Sequence, residues 1–225
     1  MLNNLESVLA QVRKIVGQAS ELAMSYYQSD LNIEWKPDQS PVTEADQKVE
    51  LFIRTELNRH YPEINILGEE FGGEEKQAIH SDYLWIIDPI DGTRSFARGI
   101  PIFGIQVALI CQQEVILGVI NLPALHEEVY AAQGLGCYYN GRLVQVSNLS
   151  DPAELLIYLH ETALAKEKSP ALAKWLDAVQ VERNWGDCYS FVQVITGRAE
   201  AALDPRMQIW DSAPLPILVQ EAGGV

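Results

Sequence analysis

Trp85-Ile-Ile-Asp-Pro-Ile-Asp-Gly-Thr93 is the stretch on which fold and chemistry both turn. The run from Tyr83 to Ile87 is aromatic and β-branched and reads as a buried strand, so Asp88 is expected where that strand leaves the sheet. Pro89 then turns the chain and swings Asp91 back beside Asp88. Two carboxylates held this close repel each other and raise each other's pKa unless a cation neutralises them. Hard oxygen ligands on a tight turn suit Mg²⁺ better than softer metals. Taken alone, an ordinary Asp-Pro/Asp-Gly surface turn fits the same residues equally well.

Towards the N-terminus, Leu5, Val8, Leu9, Val12, Val16, Ala19, Leu22, Ala23 and Tyr26 recur at spacings of three and four. They predict one amphipathic helix from about position 4 to 27. After a loop from Lys36 to Pro41, Thr43 with Asp46 three residues on marks a helix start, and Val49, Phe52, Ile53 and Leu57 continue its apolar face to about His60. Ile64 to Leu67 is a short strand candidate ending in Gly68-Glu69-Glu70, and the acidic, glycine-containing loop Phe71 to Ser81 that follows is expected to be mobile.

Towards the C-terminus the pattern changes to apolar runs broken by turn residues: Gly104 to Cys111, Val115 to Leu122, Glu127 to Ala132 and Cys137 to Tyr139. These predict an antiparallel meander, with Gly134-Leu-Gly136 as a turn. The last third alternates strand-like segments (Leu155 to Leu159, Val179 to Arg183, Ala199 to Leu203) with helix-like ones (Lys166 to Leu176, Cys188 to Thr196, Ser212 to Ala222). The predicted class is α+β, with a mixed, largely antiparallel sheet followed by an α/β portion. Residues 1–150 form the first portion and 151–225 the second, joined in one compact unit. Gly223-Gly-Val225 follows a helix whose usual successor is a strand, so a further C-terminal segment is expected.

Composition narrows the function. With 225 residues, 48% of them hydrophobic, the chain can bury a sizeable core. It has no run of 18 apolar residues, and Met1-Leu-Asn-Asn-Leu-Glu6 lacks the layout of a secretion signal, which points to the cytoplasm and away from a membrane. A formal charge of -15 argues against nucleic acid and anionic membranes as partners. Cys111, Cys137 and Cys188 fit no zinc spacing and read as reduced, mostly buried thiols. His60, His80, His126 and His160 show no ligand spacing and read as surface residues.

Acids also stand at the ends of other elements: Glu69 after one strand and Asp211 at the start of the last helix. Singly, Asp211 is an N-cap beside Trp210 and Glu69-Glu70 a solvated acidic pair. Jointly with Asp88 and Asp91, they are the ingredients of a site where two or three metals, roughly 3.5 to 4 Å apart, serve phosphoryl transfer.

Gly68-Glu69-Glu70, Trp85 to Thr93, and Trp210-Asp211 followed by Glu221-Ala-Gly-Gly224 resemble, in the right order, the signature set of the inositol monophosphatase superfamily of Mg²⁺-dependent, lithium-sensitive phosphatases. Asp91-Gly-Thr-Arg-Ser-Phe-Ala-Arg-Gly-Ile-Pro101 and Arg183-Asn-Trp-Gly-Asp-Cys-Tyr-Ser190 are most similar to its histidinol-phosphate phosphatase branch. The resemblance implies a layered αβαβα sandwich of the sugar-phosphatase type and a homodimer. It implies two or three Mg²⁺ per site: Glu69, Asp88 and the carbonyl of Ile90 for the first, and Asp88, Asp91 and Asp211 for the second. It also implies that Thr93 bonds the attacking water and that Asp46 orients Thr93, with Glu69 completing the catalytic set. Asp46 otherwise reads as a first-turn acid favoured by the helix dipole.

The substrate is then a small phosphate monoester. Ile90, Asp91, Gly92, Thr93 and Asp211 surround the phosphate end, where the Gly92 and Thr93 N–H groups at a short helix start suit an anion. Asp187 is a candidate partner for the amine of histidinol phosphate, and equally a cap for the helix after it. Arg183 matches an arginine near the substrate in that branch, or is a strand-end surface residue. Asp204 stands seven residues before Asp211, where inositol phosphatases place an acid that contacts sugar hydroxyls, so a polyol ester stays open. L-histidinol phosphate, in histidine biosynthesis, is the first reading. An inositol or promiscuous sugar phosphatase is the second, and a catalytically inactive regulatory relative the third.

Overall fold

The computed structural model describes residues 4–29, 33–35, 41–73 and 82–225. Helix α1 (Leu5–Tyr26) starts where the Asn4 side chain accepts the N–H groups of Glu6 and Ser7, and its face Val8, Val12, Val16, Ala19 and Ala23 is buried. An antiparallel pair, β1 (Ile33–Trp35) with β2 (Pro41–Thr43), follows; three residues each are too few to leave a periodic signal. Of the predicted loop, Lys36 to Ser40 lie outside the described residues. Helix α2 (Glu44–His60) opens on a capping box in which Thr43 and Asp46 bond each other's backbone ends.

The main sheet holds seven strands in sequence order: β3 (Asn65–Gly68), β4 (Tyr83–Asp91), β5 (Gly104–Cys111), β6 (Glu114–Leu122), β7 (Glu127–Ala132), β8 (Cys137–Tyr139) and β9 (Arg142–Leu143). Strands β3 and β4 pair parallel and the rest antiparallel, so the meander expected from the apolar runs is present. Most of the predicted mobile loop, residues 74–81, lies outside the described residues, and so does His80.

Strand β4 is buried on both faces, which is why it reads as a continuous apolar run. Trp85 and Ile87 pack with Val107 and Leu109 beneath α1 and α2, whereas Leu84 and Ile86 pack with Ala108 on the other face. Each such side chain, removed from water, contributes on the order of 1.5–3 kcal/mol before entropy is counted.

The remaining elements, in chain order, are α3 (Thr93–Phe96), β10 (Leu156–Leu159), α4 (Thr162–Lys168), α5 (Pro170–Leu176), β11 (Val181–Arg183), α6 (Asp187–Ile195), β12 (Ala201–Leu203), α7 (Ile209–Ser212) and α8 (Leu215–Glu221). Val192 and Ile195 of α6 and Ile217 and Leu218 of α8 cover Ile120, Leu122, Val129 and Ala131 of the main sheet. Beyond them lies a parallel sheet in the order β11-β10-β12, on which α5 lays Leu172, Trp175 and Leu176. Helices, sheet, helices, sheet and helices make a layered αβαβα sandwich.

Two predicted helices differ in their bounds, one of them split in two. Lys166 to Leu176 divides at Ser169, whose hydroxyl caps Leu172 N–H ahead of Pro170. Ser212 to Ala222 is present as Leu215–Glu221, starting three residues later than expected because Ala213 and Pro214 separate it from the short helix Ile209–Ser212, where proline cannot donate to the preceding turn.

Candidate active site

Strand β4 does not end at Ile87, and Asp88-Pro89-Ile90-Asp91 is not a surface turn. The strand runs on to Asp91, with its register against β5 shifting between Asp88, opposite Gln106, and Asp91, opposite Gly104. Three residues advance on one strand against two on the other, which is a bulge. Pro89 suits the bulge because a residue left out of the ladder needs no N–H. The Ile90 side chain is fully buried with Ala45, Phe96 and Phe103, and its N–H donates to Asp88 Oδ1 at 3.1 Å. Asp88 is 1% and Asp91 9% exposed.

Asp211 reaches the same place from α7. Gln208, not Asp211, is the N-cap of that helix; Asp211 sits three residues on and accepts Gln208 N–H at 2.6 Å. Gln106 Nε2 donates to the Asp211 carbonyl at 3.3 Å and ties the helix to β5 opposite Asp88. One oxygen from each of Asp88, Asp91 and Asp211 lies within 4.8 Å of the other two.

Glu69 follows β3, and its N–H donates to the Ile87 carbonyl at 3.2 Å. The loop it begins is pinned from below by Glu50, which is fully buried. Glu50 accepts Arg54 Nε at 2.7 Å, Glu70 N–H at 2.7 Å and Phe71 N–H at 3.3 Å. Gly68 makes room for it, since a Cβ there would lie 2.1 Å from Glu50 Oε1. Sequence reasoning passed over Glu50; a lone acid on the apolar side of an otherwise clean helical pattern was the available signal.

Asp46 is fully buried and takes three hydrogen bonds: Thr43 N–H at 2.8 Å, Thr43 hydroxyl at 2.5 Å and Thr93 hydroxyl at 3.0 Å. The Thr93 hydroxyl also lies 3.0 Å from the Ile90 carbonyl. Gly92, at φ +84°, is the left-handed N-cap of α3; a Cβ there would lie 3.1 Å from Asp187 Oδ2 and 3.2 Å from the Ile102 carbonyl.

The electrostatics follow from this crowding. Burial first, then the neighbouring charges of Glu69, Asp91 and Asp211, push the Asp88 carboxyl far above its usual range. Burial and Asp187 do the same to Asp91, although Asp91 accepts the Cys188 N–H. Burial raises Asp46 to about 6 against its hydrogen bonds, and raises Asp211 to about 6. Buried carboxylates crowded this closely fit a hard divalent cation, whose charge would offset their repulsion.

A cavity of ≈ 110 Å³ opens beside this cluster, lined in part by Asp91, Asp187, Cys188, Asp204, Asp211 and His160. The structure thus brings Asp187 and Asp204 to the carboxylate cluster. It does not bring Arg183, which is exposed at the end of β11 and donates to the Glu182 carbonyl at 3.0 Å. Nor does Asp187 cap α6: it is the first helical residue, at φ +57°, behind the N-cap Gly186. His160 is a correction, for it is a cavity residue bonded to Asp204 at 2.6 Å. Its signal was position: His160 and Asp204 each directly follow a predicted strand, and ligands gather at the carboxyl ends of parallel strands.

Buried acids around a Gly-Thr helix start, at the strand ends of a layered α/β chain, define a phosphoric monoester hydrolase. The inositol monophosphatase family matches residues 4–225, and the chain belongs to that family. It is 39% identical to a histidinol-phosphatase of Chlorobaculum parvum over 94% of this chain and 82% of that one. It is 38% identical to the histidinol-phosphatase of Mycobacterium tuberculosis over 87% and 76%. The Thermotoga maritima IMPase structure superposes with a TM-score of 0.84 at 32% identity, over 93% of this chain and 81% of that one. No helix of the described residues is long and apolar enough to cross a membrane.

Proposed function

We propose that the protein is a Mg²⁺-dependent histidinol-phosphate phosphatase that converts L-histidinol phosphate and water to L-histidinol and phosphate in histidine biosynthesis. It acts in the cytoplasm as a homodimer. The observation that carries the substrate choice is Asp187, a partly buried carboxylate that lines the cavity together with Asp91. A carboxylate there rewards an ammonium group and gives a neutral polyol less. The similarity to histidinol-phosphatases at 38% and 39% identity supports the same choice.

Glu69, Asp88, the Ile90 carbonyl, Asp91 and Asp211 would hold two or three Mg²⁺. Bound Mg²⁺ would supply charge neutralisation and a lowered pKa for water, the main needs of a slow phosphate monoester. Asp46 accepts the hydrogen bond that the Thr93 hydroxyl donates, which leaves the Thr93 oxygen's lone pairs to accept from and orient the attacking water. Gly92 lets the backbone approach the phosphate closely, and the Gly92 and Thr93 N–H groups face its oxygens. No side-chain nucleophile is needed.

The test is kcat/KM for L-histidinol phosphate against inositol 1-phosphate with Mg²⁺ present. A preference of about tenfold or more for histidinol phosphate is expected, about what one charge-assisted hydrogen bond supplies. A preference for the inositol ester overturns the assignment in favour of an inositol monophosphatase.

A further inference from the structure

The geometry points to His160 as a specificity-determining residue: it occupies Asp204 and withdraws that carboxylate from substrate hydroxyls, leaving Asp187 to read an ammonium group. This deepens the function proposed above and rests on it.

Strands β10 and β12 pair in parallel with Leu159 opposite Leu203, so the next residues on each, His160 and Asp204, come side by side at the carboxyl edge of the small sheet. The His160 N–H donates to the Leu203 carbonyl at 2.9 Å, and His160 Nδ1 meets Asp204 Oδ2 at 2.6 Å. The other oxygen of Asp204 accepts Arg206 N–H at 2.8 Å. Both oxygens of Asp204 therefore have partners within the fold. Gly186 holds the space for the ring, since a Cβ there would lie 2.5 Å from His160 Cγ. Burial alone would raise the Asp204 carboxyl, but the His160 and Arg206 bonds outweigh it and the net shift is downward; Asp204 stays an anion paired with His160.

Asp187 differs. It lines the same cavity, its side chain accepts no hydrogen bond among the described residues, and burial raises its carboxyl despite the nearby charges of His160 and Arg94. An acid that lacks internal donors gains most from a ligand that brings three N–H groups and a positive charge. A ligand hydroxyl that approaches Asp204 Oδ2 along the direction His160 holds must displace a charge-assisted bond, worth roughly 1.5–3 kcal/mol, and one that takes a remaining lone pair meets an oxygen whose charge His160 already offsets. The pair of residues thus favours phosphate esters of amino alcohols and disfavours esters of neutral polyols.

The experiment measures KM and kcat for inositol 1-phosphate and L-histidinol phosphate, with Mg²⁺, on wild type, His160→Ala, His160→Asn and His160→Ala/Asp204→Asn. Releasing Asp204 in His160→Ala is expected to lower KM for the inositol ester about tenfold, with the change in KM rather than kcat. His160→Asn keeps an N–H near the Nδ1 position and should stay close to wild type. The double variant should lose the gain. An inositol-ester KM that His160→Ala moves by less than about twofold, or a gain that survives Asp204→Asn, overturns the proposal. If His160→Ala melts early, His160→Gln, which fills the ring's volume but carries its amide past the Nδ1 position, is read the same way. A wild type that prefers the inositol ester defeats the substrate assignment alone, because the effect of His160 on that ester's KM is read separately.

Discussion

Thr93 Oγ1 lies 3.0 Å from Asp46 Oδ1 and joins the start of α3 to the first turn of α2. A hydroxyl has one proton, and the Ile90 carbonyl competes for it at 3.0 Å, so the charge on Asp46 decides which way Thr93 points. Asp46→Asn removes that charge and can donate towards Thr93 instead. It is expected to lower kcat by about 10²–10³, with KM within a few-fold of wild type, in steady-state phosphate release.

The raised carboxyls make the metal-free protein less stable as pH rises. Asp46 moves from 3.8 to about 6 on folding, so its protonated form is favoured in the native state. Below about pH 4 it is protonated in both states and has no effect. Between about 4 and 6 the unfolded chain ionises first, and stability falls by about 3 kcal/mol, a loss that persists at higher pH. Asp46→Asn lacks this term. In urea titrations with chelator, its stability relative to wild type should therefore be more favourable at pH 7 than at pH 4 by about that amount; an equal difference at both would contradict the shift.

Gly92 holds φ +84°, which an L side chain adopts only with strain. Gly92→Ala is expected to lose about 1–2 kcal/mol in chemical denaturation. Its Cβ would also crowd Asp187 and the Ile102 carbonyl, raising KM for the substrate and weakening inhibition by inorganic phosphate.

Arg54→Met leaves Glu50, which has no exposure, without its charged partner. The expected loss is about 3–5 kcal/mol in urea denaturation. Because Glu50 also holds the loop after Glu69, Mg²⁺ affinity measured by calorimetry should weaken as well.

Where residues act through periodic burial, the sequence was easy to read. Val8 to Ala23 and Val49 to Leu57 each bury one helix face, and the runs from Gly104 to Tyr139 are covered on both sides of the sheet, so spacing or continuity of apolar residues records each. Asp88-Pro89-Ile90-Asp91 was read correctly as an acidic pair but wrongly as a turn, because the pull of burial on Ile90 keeps the strand going past a proline. Asp204 was named as a candidate from its place before Asp211, but its pairing with His160, which depends on strand register, stayed hidden. His160 and Asp204 are 44 positions apart, and only the pairing of β10 with β12 makes them neighbours. Arg183 shows the converse: its match to a family pattern gave no information about which way the end of β11 points.

Phosphate release from L-histidinol phosphate, with Mg²⁺ or with chelator, by wild type and Asp91→Asn, tests most directly whether the Asp88, Asp91 and Asp211 cluster carries the chemistry. Asn keeps an oxygen for the Cys188 N–H, so the variant should fold and its melting temperature confirms it. The account predicts that chelator abolishes release, that added Mg²⁺ restores it in wild type, and that Asp91→Asn stays at least about 100-fold below wild type at any Mg²⁺ concentration. Release that continues in chelator, or an Asp91→Asn variant with the wild-type rate, would contradict it.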